Sequence, residues 1–451
     1  FRTIIPLPKR SRSRSTSVAS HGSGAGRPLA QWLDYIESIH RRSIDLTLDR
    51  TRRVLHRLQP RLPPIVVTIA GTNGKGTTAE MLNAVYCEAG YRVGCYTSPH
   101  LVSYCERVKI DGKPVPEEVL CAAFERVEQA RSRVPLTYFE FGTIAALDLL
   151  GHADVEVGIL EVGLGGRLDA VNAINPDLCV VTSIDLDHKG WLGSTRDAIG
   201  REKAGILRYG GKVVVSDPKP PQSVRSALEA LRCDARILNE DFWIEWEDEN
   251  VWHWRPDSDK WPGVESQWSG KGSQATGGRM NNLAGTLAAV QQLQSRLPVT
   301  SHHVGMLSGL QVPGRQELIE GDVTRLFDVA HNHRAVADLA GMLRRARPRG
   351  KTRAVFSLLK DKDLFSIVEE IKGQVDCWYL AEVESERGMS LAELRAGLQG
   401  MNIADLDKCH SPTDAYTQAL LDSAPGDWVV VFGSFYLVGA ILGSISERTV
   451  A

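Results

Sequence analysis

Apolar runs of strand length alternate with apolar residues at helical spacing along most of the chain. Residues 65–70 form one such run, six mostly β-branched residues without a charge, which predicts a buried strand. Thr78, Leu82 and Val85 then recur at helical spacing until Gly90, which predicts a helix immediately downstream. A strand, a glycine-rich turn and a helix therefore form the unit around which we expect the fold to be built.

The same alternation extends on both sides of this unit. Two helices are predicted within residues 29–58, and further helices over 116–131, 137–150 and 282–293. Strands are predicted over 91–96, 155–162, 178–184 and 212–216. Strands that alternate with helices imply right-handed crossovers and a mainly parallel sheet, whose ligands bind at the carboxyl ends of the strands.

A second, smaller α/β unit is predicted beyond the segment 312–315. Its strands are predicted over 324–330, 354–358, 377–381 and 428–432, separated by helical patterns and without a second phosphate loop. A chain of 451 residues is also longer than a single core usually supports. We therefore expect one domain over 29–312, which contains the glycine-rich turn, and a second α/β domain over 313–451.

The stretch from 241 to 268 differs in composition from its surroundings, because it holds six of the ten tryptophans, mixed with acidic residues. Two runs flank Asp248-Glu249-Asn250, which predicts a hairpin. A stacking surface for sugars or bases is the alternative, but the neighbouring acidic groups would repel phosphates. We therefore expect an edge hairpin with one packed face.

Composition excludes several classes of function. The 53 basic and 55 acidic residues give a net charge of −2, whereas binding to a phosphate backbone needs clustered positive charge, so nucleic acid is not expected as the main partner. No apolar run approaches the roughly 20 residues of a membrane span, so no membrane association is expected. The eight cysteines lack Cys-x-x-Cys spacing, which fits reduced thiols in the cytoplasm.

Residues 1–28 are rich in Arg, Ser, Pro and Gly, and the first acidic residue is Asp34. Such a segment cannot bury enough apolar surface to order itself, which predicts a disordered tail. An Arg- and Ser-rich, acid-poor N-terminus is also typical of organelle transit peptides, although no amphipathic stripe accompanies it here. Organellar targeting is therefore the minor alternative to a cytoplasmic location.

Three glycines and a lysine follow the first predicted strand, namely Gly71, Gly74, Lys75 and Gly76. A glycine-rich turn before a helix directs backbone N–H groups and the helix N-terminus at one anion. Lys75 adds positive charge, and the hydroxyl of Thr77 or Thr78 can face a phosphate-bound Mg²⁺. Ile69 stands where the standard phosphate loop has its first glycine, so the loop is a shortened variant. An ordinary turn is the alternative, but strand, lysine, threonines and helix all favour a nucleotide site.

Candidate metal ligands follow other predicted strands. Glu161 ends an apolar strand, where parallel-sheet nucleotide enzymes place the carboxylate that holds Mg²⁺, and a charge there is costly unless it is paired or metal-bound. Ser98 could add a hydroxyl ligand. His188 follows the strand predicted over 178–184 and could ligate a second metal or orient a phosphate. A solvated glutamate and a structural histidine are the alternatives.

Ten short motifs, in order along the chain, resemble those of the dihydrofolate synthase/folylpolyglutamate synthase branch of the Mur-ligase superfamily. They lie at 70–78, 98–101, 136–140, 161–170, 187–188, 201–206, 313–315, 328–332, 361–363 and 433–435. The resemblance covers the chain from about residue 29 to its end. It implies a Mur-ligase-like α/β fold, in which a P-loop ATPase domain with a parallel sheet precedes a smaller Rossmann-like glutamate-ligase domain.

The resemblance also implies a monomeric ATP-dependent amide ligase that adds L-glutamate to 7,8-dihydropteroate and to tetrahydrofolates. In that family ATP activates the substrate carboxylate as an acyl phosphate, which the amine of glutamate then attacks. Mg²⁺ and Lys75 would offset the charge of the γ-phosphate while the anionic carboxylate approaches. Two Mg²⁺ sites are implied.

Individual roles are carried over by the same resemblance. The ATP-binding residues would be Asn73, Gly74, Lys75, Gly76, Thr77, Asn282, Arg315 and Asp328. Ser98 and Glu161 would hold one Mg²⁺ and His188 the second. Lys203 matches a lysine that the family carbamylates, since an ammonium cannot ligate a metal; read without the family it is an ordinary helix lysine. Lys75, His188 and Lys203 would thus be the catalytic residues.

The remaining substrate groups are assigned in the same way. The pterin pocket would comprise Thr137, Tyr138, Phe139, Glu140, Leu168, Asp169 and Ala170. His331 and Ser434 would lie near the incoming glutamate. Two residues depart from the family pattern: His333 stands where a proline is frequent, and Lys189, directly after His188, would repel a metal if it turned inward.

Two alternative functions stay open. UDP-muramyl amino-acid ligases share the superfamily, but the matches at 137–140 and 168–170 argue against them. A nucleotide-binding module or switch without ligase chemistry is the second alternative. His188 and Lys203 beside Glu161 favour two-metal chemistry, which a simple switch does not need.

Overall fold

The computed structural model describes residues 26–247, 251–261, 268–271, 277–403, 406–408 and 411–450. Residues 1–25 of the predicted disordered tail lie outside these ranges, as does the predicted hairpin turn at 248–250. Among the described helices, none combines the length and the apolarity that crossing a membrane requires.

An eight-stranded sheet organises the first half of the chain. Its strands are β1 (Ile65–Ala70), β2 (Val93–Tyr96), β3 (Val108–Ile110), β4 (Lys113–Pro114), β5 (Val157–Glu161), β6 (Leu178–Val181), β7 (Lys212–Val215) and β8 (Asp234–Ile237). The order is β4-β3-β2-β5-β1-β6-β7-β8, parallel from β2 to β8 and antiparallel at the β3–β4 edge. The predicted parallel α/β sheet is thus confirmed.

Helices cover both faces of this sheet. They are α1 (Leu29–Ser38), α2 (Asp49–Leu58), α3 (Lys75–Glu88), α4 (Glu117–Arg131), α5 (Tyr138–His152), α6 (Lys189–Leu192), α7 (Arg196–Lys203) and α8 (Gln222–Ala230). Along β1, Val66 and Ala70 face the core shared with α4 and α5, whereas Val67 and Ile69 face the core shared with α3. A strand buried on both faces has no polar side, and for that reason the sequence of β1 is an almost uninterrupted run of apolar residues.

The tryptophan-rich stretch forms a separate antiparallel sheet of β9 (Phe242–Trp246), β10 (Val251–Pro256) and β11 (Ser269–Lys271). The predicted hairpin strands are present as β9 and β10 with the expected packed face, and they belong to a three-stranded sheet of their own. The apolar face packs on α9 (Gly277–Leu293), and Trp252, Trp254 and Trp268 are buried in the core shared with α3. These three buried rings offer no stacking surface for a ligand, whereas Trp246 is exposed. The short helix α10 (Ser301–Gly305) follows.

A six-stranded sheet organises the rest of the chain. Its strands are β12 (Glu317–Ile319), β13 (Thr324–Asp328), β14 (Thr352–Phe356), β15 (Cys377–Leu380), β16 (Leu406–Lys408) and β17 (Trp428–Phe432). The order is β12-β13-β17-β14-β15-β16, and the pairs are parallel except for β12 with β13. This is the smaller Rossmann-like unit expected from the sequence.

The flanking helices of the second sheet are α11 (His333–Ala346), α12 (Leu364–Ile371), α13 (Leu391–Gly400), α14 (Pro412–Leu421) and α15 (Phe435–Val450). The first three share one apolar core with the sheet, and α14 and α15 share the other. The loops that follow β13 and β17 therefore lie at the carboxyl edge of this sheet. The domain limits at 312 and 313 stay a prediction.

Candidate active site

A cavity of about 460 Å³ lies where the carboxyl edges of the two sheets face each other. From the first sheet it is lined by the turn after β1, by Ser98 after β2, by Glu161 at the end of β5 and by His188 after β6. From the second sheet it is lined by residues 328–331 after β13 and by residues 434–436 after β17. Loops from distant parts of the chain therefore meet in one site, as expected at the carboxyl ends of parallel strands.

The turn between β1 and α3 is held by the loop after β6. The Thr72 N–H donates to the Ser183 carbonyl at 2.7 Å, and the Thr72 hydroxyl donates to the Asp185 carbonyl at 3.0 Å. Gly74 has φ of +90°, a conformation that favours glycine, and α3 begins at the next residue, Lys75. The start of a helix thus faces the cavity with its unpaired N–H groups, which suits an anion.

Two predicted ATP-binding residues pack directly on this turn. A Cβ atom added to Gly74 would lie 2.2 Å from Asn282 Oδ1, and one added to Gly76 would lie 2.6 Å from Arg315 Nη2. Larger residues at these positions would displace the amide or the guanidinium. The close approach explains why glycine stands at both positions, and it brings α9 and the second sheet onto the phosphate loop.

Two lysines share one backbone carbonyl beneath the turn. Lys75 Nζ donates to the Gly71 carbonyl at 3.1 Å, and Lys203 Nζ donates to the same oxygen at 2.7 Å. Burial lowers the pKa of both amines, and the neighbouring charge of Lys75 lowers the pKa of Lys203 further. Lys203 therefore has an environment that favours the neutral amine over the ammonium.

Glu161 is a buried carboxylate whose charge favours the binding of a cation. Its Oε2 accepts the Ser98 N–H at 3.0 Å, the one hydrogen bond that the described residues donate to it. Burial raises the pKa of Glu161, against the opposing charges of Lys75 and Arg315. A carboxylate with this much free acceptor capacity, beside a phosphate loop, fits a magnesium ligand.

His188 lies at the start of α6 and lines the same cavity. Burial and the nearby charge of Lys362 lower its pKa to about 4, so the imidazole is neutral at physiological pH, the form that binds metals. Within the described part of the chain, no three His, Cys, Asp or Glu side chains converge as a ready metal cluster. A magnesium ion here would need ligands from phosphate and water, which is its usual preference.

The loops of the two sheets are joined by a cluster around Asp187, which we call the interdomain clasp: Asn73 and Asp187 from one side, Asn332 and Lys362 from the other. Lys362 Nζ donates to Asp187 Oδ1 at 2.5 Å, and Asn332 Nδ2 donates to Asp187 Oδ2 at 3.2 Å. The amides of Asn73 and Asn332 pair reciprocally at 3.1 and 2.9 Å. Although burial acts to raise the pKa of Asp187, contact with His331 and Lys362 holds it well below its ordinary value.

The predicted residues of the second sheet differ in their surroundings. Asp328 ends β13, where burial raises its pKa to about 7 although its Oδ1 accepts the Ala330 N–H at 2.8 Å. His331 Nδ1 donates to the Val329 carbonyl at 2.8 Å, and its Nε2 lies 3.5 Å from Asp187 Oδ2. Ser434 is buried, and its hydroxyl accepts the Leu437 N–H at the start of α15. All three line the cavity.

Neither residue that departs from the family pattern lines the cavity. Lys189 is exposed to solvent. His333 is the first residue of α11, a position where proline is common because its N–H has no helical partner. Asn332 still caps this helix by accepting the Ala335 N–H at 3.0 Å.

None of the seven residues assigned to a pterin pocket is among the residues that line this cavity; they are Thr137, Tyr138, Phe139, Glu140, Leu168, Asp169 and Ala170. Thr137 and Glu140 instead form a capping box at the start of α5, and Arg50 Nε donates to Glu140 Oε2 at 3.1 Å. Asp169 likewise accepts the N–H groups of Leu164 and Val171. Their pterin role stays a prediction.

Sequence patterns give no role to several residues at the site. Asp187 and Lys362 line the cavity and Asn332 contacts Asp187, yet all three belong to motifs without an individual role. Asp338 on α11 also lines the cavity and belongs to none of the motifs. The contact between Asp187 and Lys362 forms only because the two sheets face each other, since these residues are 175 positions apart in the sequence.

Comparison with known proteins agrees with this architecture. Residues 69–229 match the family model described as the Mur ligase middle domain, and residues 314–435 match the one described as the Mur ligase, glutamate ligase domain. The two matched segments contain the phosphate loop and the loops after β13 and β17, respectively.

Full-length relatives are also similar to this chain. It is 38% identical to the dihydrofolate synthase/folylpolyglutamate synthase of Escherichia coli (strain K12), over 94% of this chain and 97% of that protein. The structure of E. coli FolC in complex with DHPP and ADP superposes with a TM-score of 0.87 at 37% identity, covering 94% and 99% of the two chains. A bifunctional folylpolyglutamate synthase/dihydrofolate synthase with Mn, AMPPNP and L-glutamate bound gives a TM-score of 0.83 at 36% identity, with the same coverage.

Proposed function

Because this chain belongs to the dihydrofolate synthase/folylpolyglutamate synthase family of Mur ligases, we propose that it joins L-glutamate to the carboxyl group of 7,8-dihydropteroate and of tetrahydrofolates, with cleavage of ATP. The observation that carries this proposal is the placement of Arg315 against the phosphate loop at Gly76. The nucleotide site is complete only when the second domain contributes to it, as a ligase that assembles three substrates requires.

The first step is the transfer of the γ-phosphoryl group to the substrate carboxylate. A carboxylate oxygen attacks the γ-phosphorus, the bond to the β,γ-bridging oxygen breaks, and ADP leaves with the electron pair. Two anions must approach each other, so the positive charges of Lys75 and Arg315 beside the turn lower the barrier. The N-terminus of α3 adds fixed N–H dipoles that need no reorganisation during the reaction.

Divalent metal and a modified lysine complete the site in this proposal. Ser98 and Glu161 hold one Mg²⁺ and His188 takes part in the second, and Mg²⁺ supplies neutralisation of phosphate charge when bound. Lys203 would become a metal ligand by carbamylation: its uncharged nitrogen bonds to the carbon of CO₂, one C=O π bond opens, the nitrogen releases a proton, and the carbamate carries an anionic oxygen. The burial of Lys203, which lowers the pKa of its amine, supports this assignment.

The second step forms the amide. The amine of L-glutamate attacks the acyl carbon, phosphate leaves, and the amine loses a proton. His331 and Ser434 face the cavity from the second sheet and are assigned to the glutamate side. With its Nδ1–H directed to Val329, His331 keeps Nε2 as the nitrogen that can exchange a proton within the site.

The test is phosphate release with ATP and Mg²⁺, with dihydropteroate, tetrahydrofolate and glutamate added singly and together. We expect stoichiometric release only when a pterin acid and glutamate are both present, and none from the variant Lys75→Ala. Release that is indifferent to both additions would contradict the proposal and favour a nucleotide switch. Release that requires a UDP-linked muramyl peptide would favour the other Mur ligases, although the full-length relatives cited above are all folate ligases in name.

A further inference from the structure

Arg107 is a buried arginine that lines the cavity, although it belongs to none of the family motifs. Its Nε donates to His100 Nδ1 at 2.9 Å. Its guanidinium carbon lies 4.8 Å from the ring centre of Tyr104 and 5.5 Å from that of Tyr138. Among the described residues no carboxylate pairs with this guanidinium, and its other side-chain hydrogen bond is to Tyr96.

The groups that contact the Arg107 guanidinium are uncharged. His100 Nδ1 accepts a hydrogen bond, so this nitrogen carries no proton and the imidazole is neutral. Tyrosine is a phenol with a pKa of about 10, whereas arginine stays protonated in proteins. Stacking on aromatic rings offsets part of the cost of burying a cation, but a buried charge is normally paired with an opposite one. The described residues therefore leave the positive charge of Arg107 uncompensated.

Two other arginines of the described chain are buried to the same extent, each 8% exposed like Arg107. Arg131 Nε donates to Glu128 Oε2 at 2.5 Å, and Arg353 Nη2 lies 3.1 Å from Asp427 Oδ2. Neither of these two arginines lines the cavity. The arginine that faces the cavity is thus the one of the three without an acid, which indicates that its counter-ion comes from a ligand.

The backbone places Arg107 beside the proposed metal site. The Thr97 N–H donates to the Arg107 carbonyl at 2.9 Å, at the point where β3 begins next to the end of β2. Ser98 follows Thr97 and donates its own N–H to Glu161. Arg107 therefore lies at the same sheet edge as the groups proposed to hold Mg²⁺, where an acid must bind in order to meet the γ-phosphate.

We propose that Arg107 binds the carboxylate of the acceptor acid through its two terminal nitrogens. The inference rests on the proposed ligase function and deepens it. Nε is committed to His100, whereas Nη1 and Nη2 each carry two N–H groups, so the contact with Tyr96 leaves donors free. Two parallel N–H groups of a guanidinium match the two oxygens of a carboxylate. Arg107 is thus a specificity-determining residue that selects acids over uncharged analogues.

Two other roles for Arg107 make different predictions. If it only fixes the loop that contains His100, its removal should weaken an acid and the corresponding uncharged amide equally. If it binds a phosphate of the nucleotide, its removal should weaken ATP and leave the preference for the acid unchanged. The decisive quantity is therefore the ratio of the dissociation constants of amide and acid.

The experiment measures by calorimetry the binding of pteroate, of its uncharged amide and of ATP with Mg²⁺ to the full chain. Pteroate has a single carboxylate, so the group that is recognised is unambiguous. We expect the wild type to bind the acid about tenfold or more tightly than the amide, as for a charge-assisted pair of hydrogen bonds. Arg107→Gln should bring this ratio close to one, and Arg107→Lys, which keeps the charge without the planar fork, should give an intermediate ratio. ATP should bind equally well to all three proteins.

The matched control is Arg131→Gln, which removes an equally buried guanidinium away from the cavity and should leave the ratio unchanged. A wild-type ratio close to one, or a preference for the acid that persists in Arg107→Gln and Arg107→Lys, would overturn the proposal, as would a loss of affinity for ATP alone. An Arg107-dependent ratio without glutamate-dependent phosphate release would count against the proposed function only. Failure of the wild type to bind either pterin compound would overturn both.

Discussion

The surroundings of Lys203 change the acid–base properties of its amine. It is 4% exposed, its amine donates to the Gly71 carbonyl, and burial lowers its pKa well below that of a free lysine. A carbamate forms only from a neutral amine, and most surface lysines are protonated at neutral pH. Without the family resemblance, the sequence gives no sign of this, because the burial of Lys203 and its proximity to Lys75 come from the fold.

We predict that Lys203→Ala loses about 100-fold or more in phosphate release, because the proposed carbamate ligand of the metal is removed. Added acetate or another small carboxylate should restore part of the activity by occupying the vacated position. Native mass spectrometry of the wild type should show a mass increase of one CO₂ that the variant lacks. A wild-type lysine without the modification, together with no rescue of a folded variant, would refute the carbamate role.

Asp328, which lines the cavity, makes the stability of the protein depend on pH. Burial raises its pKa to about 7 in the folded protein, against about 3.9 for an unfolded aspartate. Between these values the folded state binds more protons than the unfolded state. The contribution of Asp328 to the free energy of unfolding therefore falls as the pH rises from about 4 to about 7.

We predict that Asp328→Asn is more stable than the wild type above pH 7, by on the order of 2 kcal/mol, and about equally stable near pH 4. Urea unfolding at several pH values measures the difference. Asp259→Asn, at an exposed aspartate, is the control and should change stability at neither pH. A constant difference across the pH range would show that Asp328 is not the titrating group. The gain should accompany weaker ATP binding, the usual exchange of stability for function.

At the scale of elements, prediction succeeded where one local signal sufficed. Strands buried on both faces, such as β1 and β6, and helices with a clear stripe, such as α4, stood out from the sequence. Strands of two to four residues with polar content, such as β4, β8 and β16, did not. They exist because an existing sheet offers them hydrogen-bond partners, which is tertiary information.

The residues at the start of α5 have a structural role in capping the helix. The Thr137 hydroxyl accepts the Glu140 N–H at 3.3 Å, and Glu140 Oε2 accepts the Thr137 N–H at 2.8 Å. This capping box ties down two helix N–H groups that would otherwise be buried without partners. The motif at 136–140 resembles that of the family, and the capping box is a physical reason for Thr137 and Glu140 to occur at these positions.

We predict that Thr137→Ala lowers the free energy of unfolding by about 1 kcal/mol. Ser390→Ala is the matched control, since Ser390 forms the same capping box with Glu393 on α13, away from the cavity. Urea unfolding and the KM for dihydropteroate should be measured for both. A KM that rises in Thr137→Ala alone would support the pterin assignment, and an unchanged stability would refute the capping argument.

At the scale of the whole molecule, the active site depends on how the two sheets face each other. The phosphate loop could be predicted from its own sequence, because a strand, glycines, a lysine and a helix are adjacent. The interdomain clasp could not, since Asn73 and Asn332 are separated by 259 residues and nothing at either position indicates its partner. Which polar residues pair across an interface follows from the docking of two folded units, not from local pattern.

We predict that Lys362→Met opens the interface while leaving each domain folded. The substitution keeps the length of the side chain but leaves Asp187, whose side chain is 10% exposed, without its closest cation. Small-angle scattering should show a larger radius of gyration, and phosphate release with all substrates should fall by about tenfold or more. Lys372→Met, at an exposed ion pair with Glu369, should change neither quantity. An unchanged radius and rate in Lys362→Met would refute the role of the clasp.

The uneven distribution of the tryptophans determines which part of the protein intrinsic fluorescence monitors in solution. Six of the ten tryptophans lie between Trp243 and Trp268, whereas the second sheet carries Trp378 and Trp428. Intrinsic fluorescence therefore originates mainly from the half of the molecule that holds the phosphate loop. Emission recorded during denaturation will mainly follow the loss of that half, and melting of the glutamate-ligase half will change the emission only through Trp378 and Trp428.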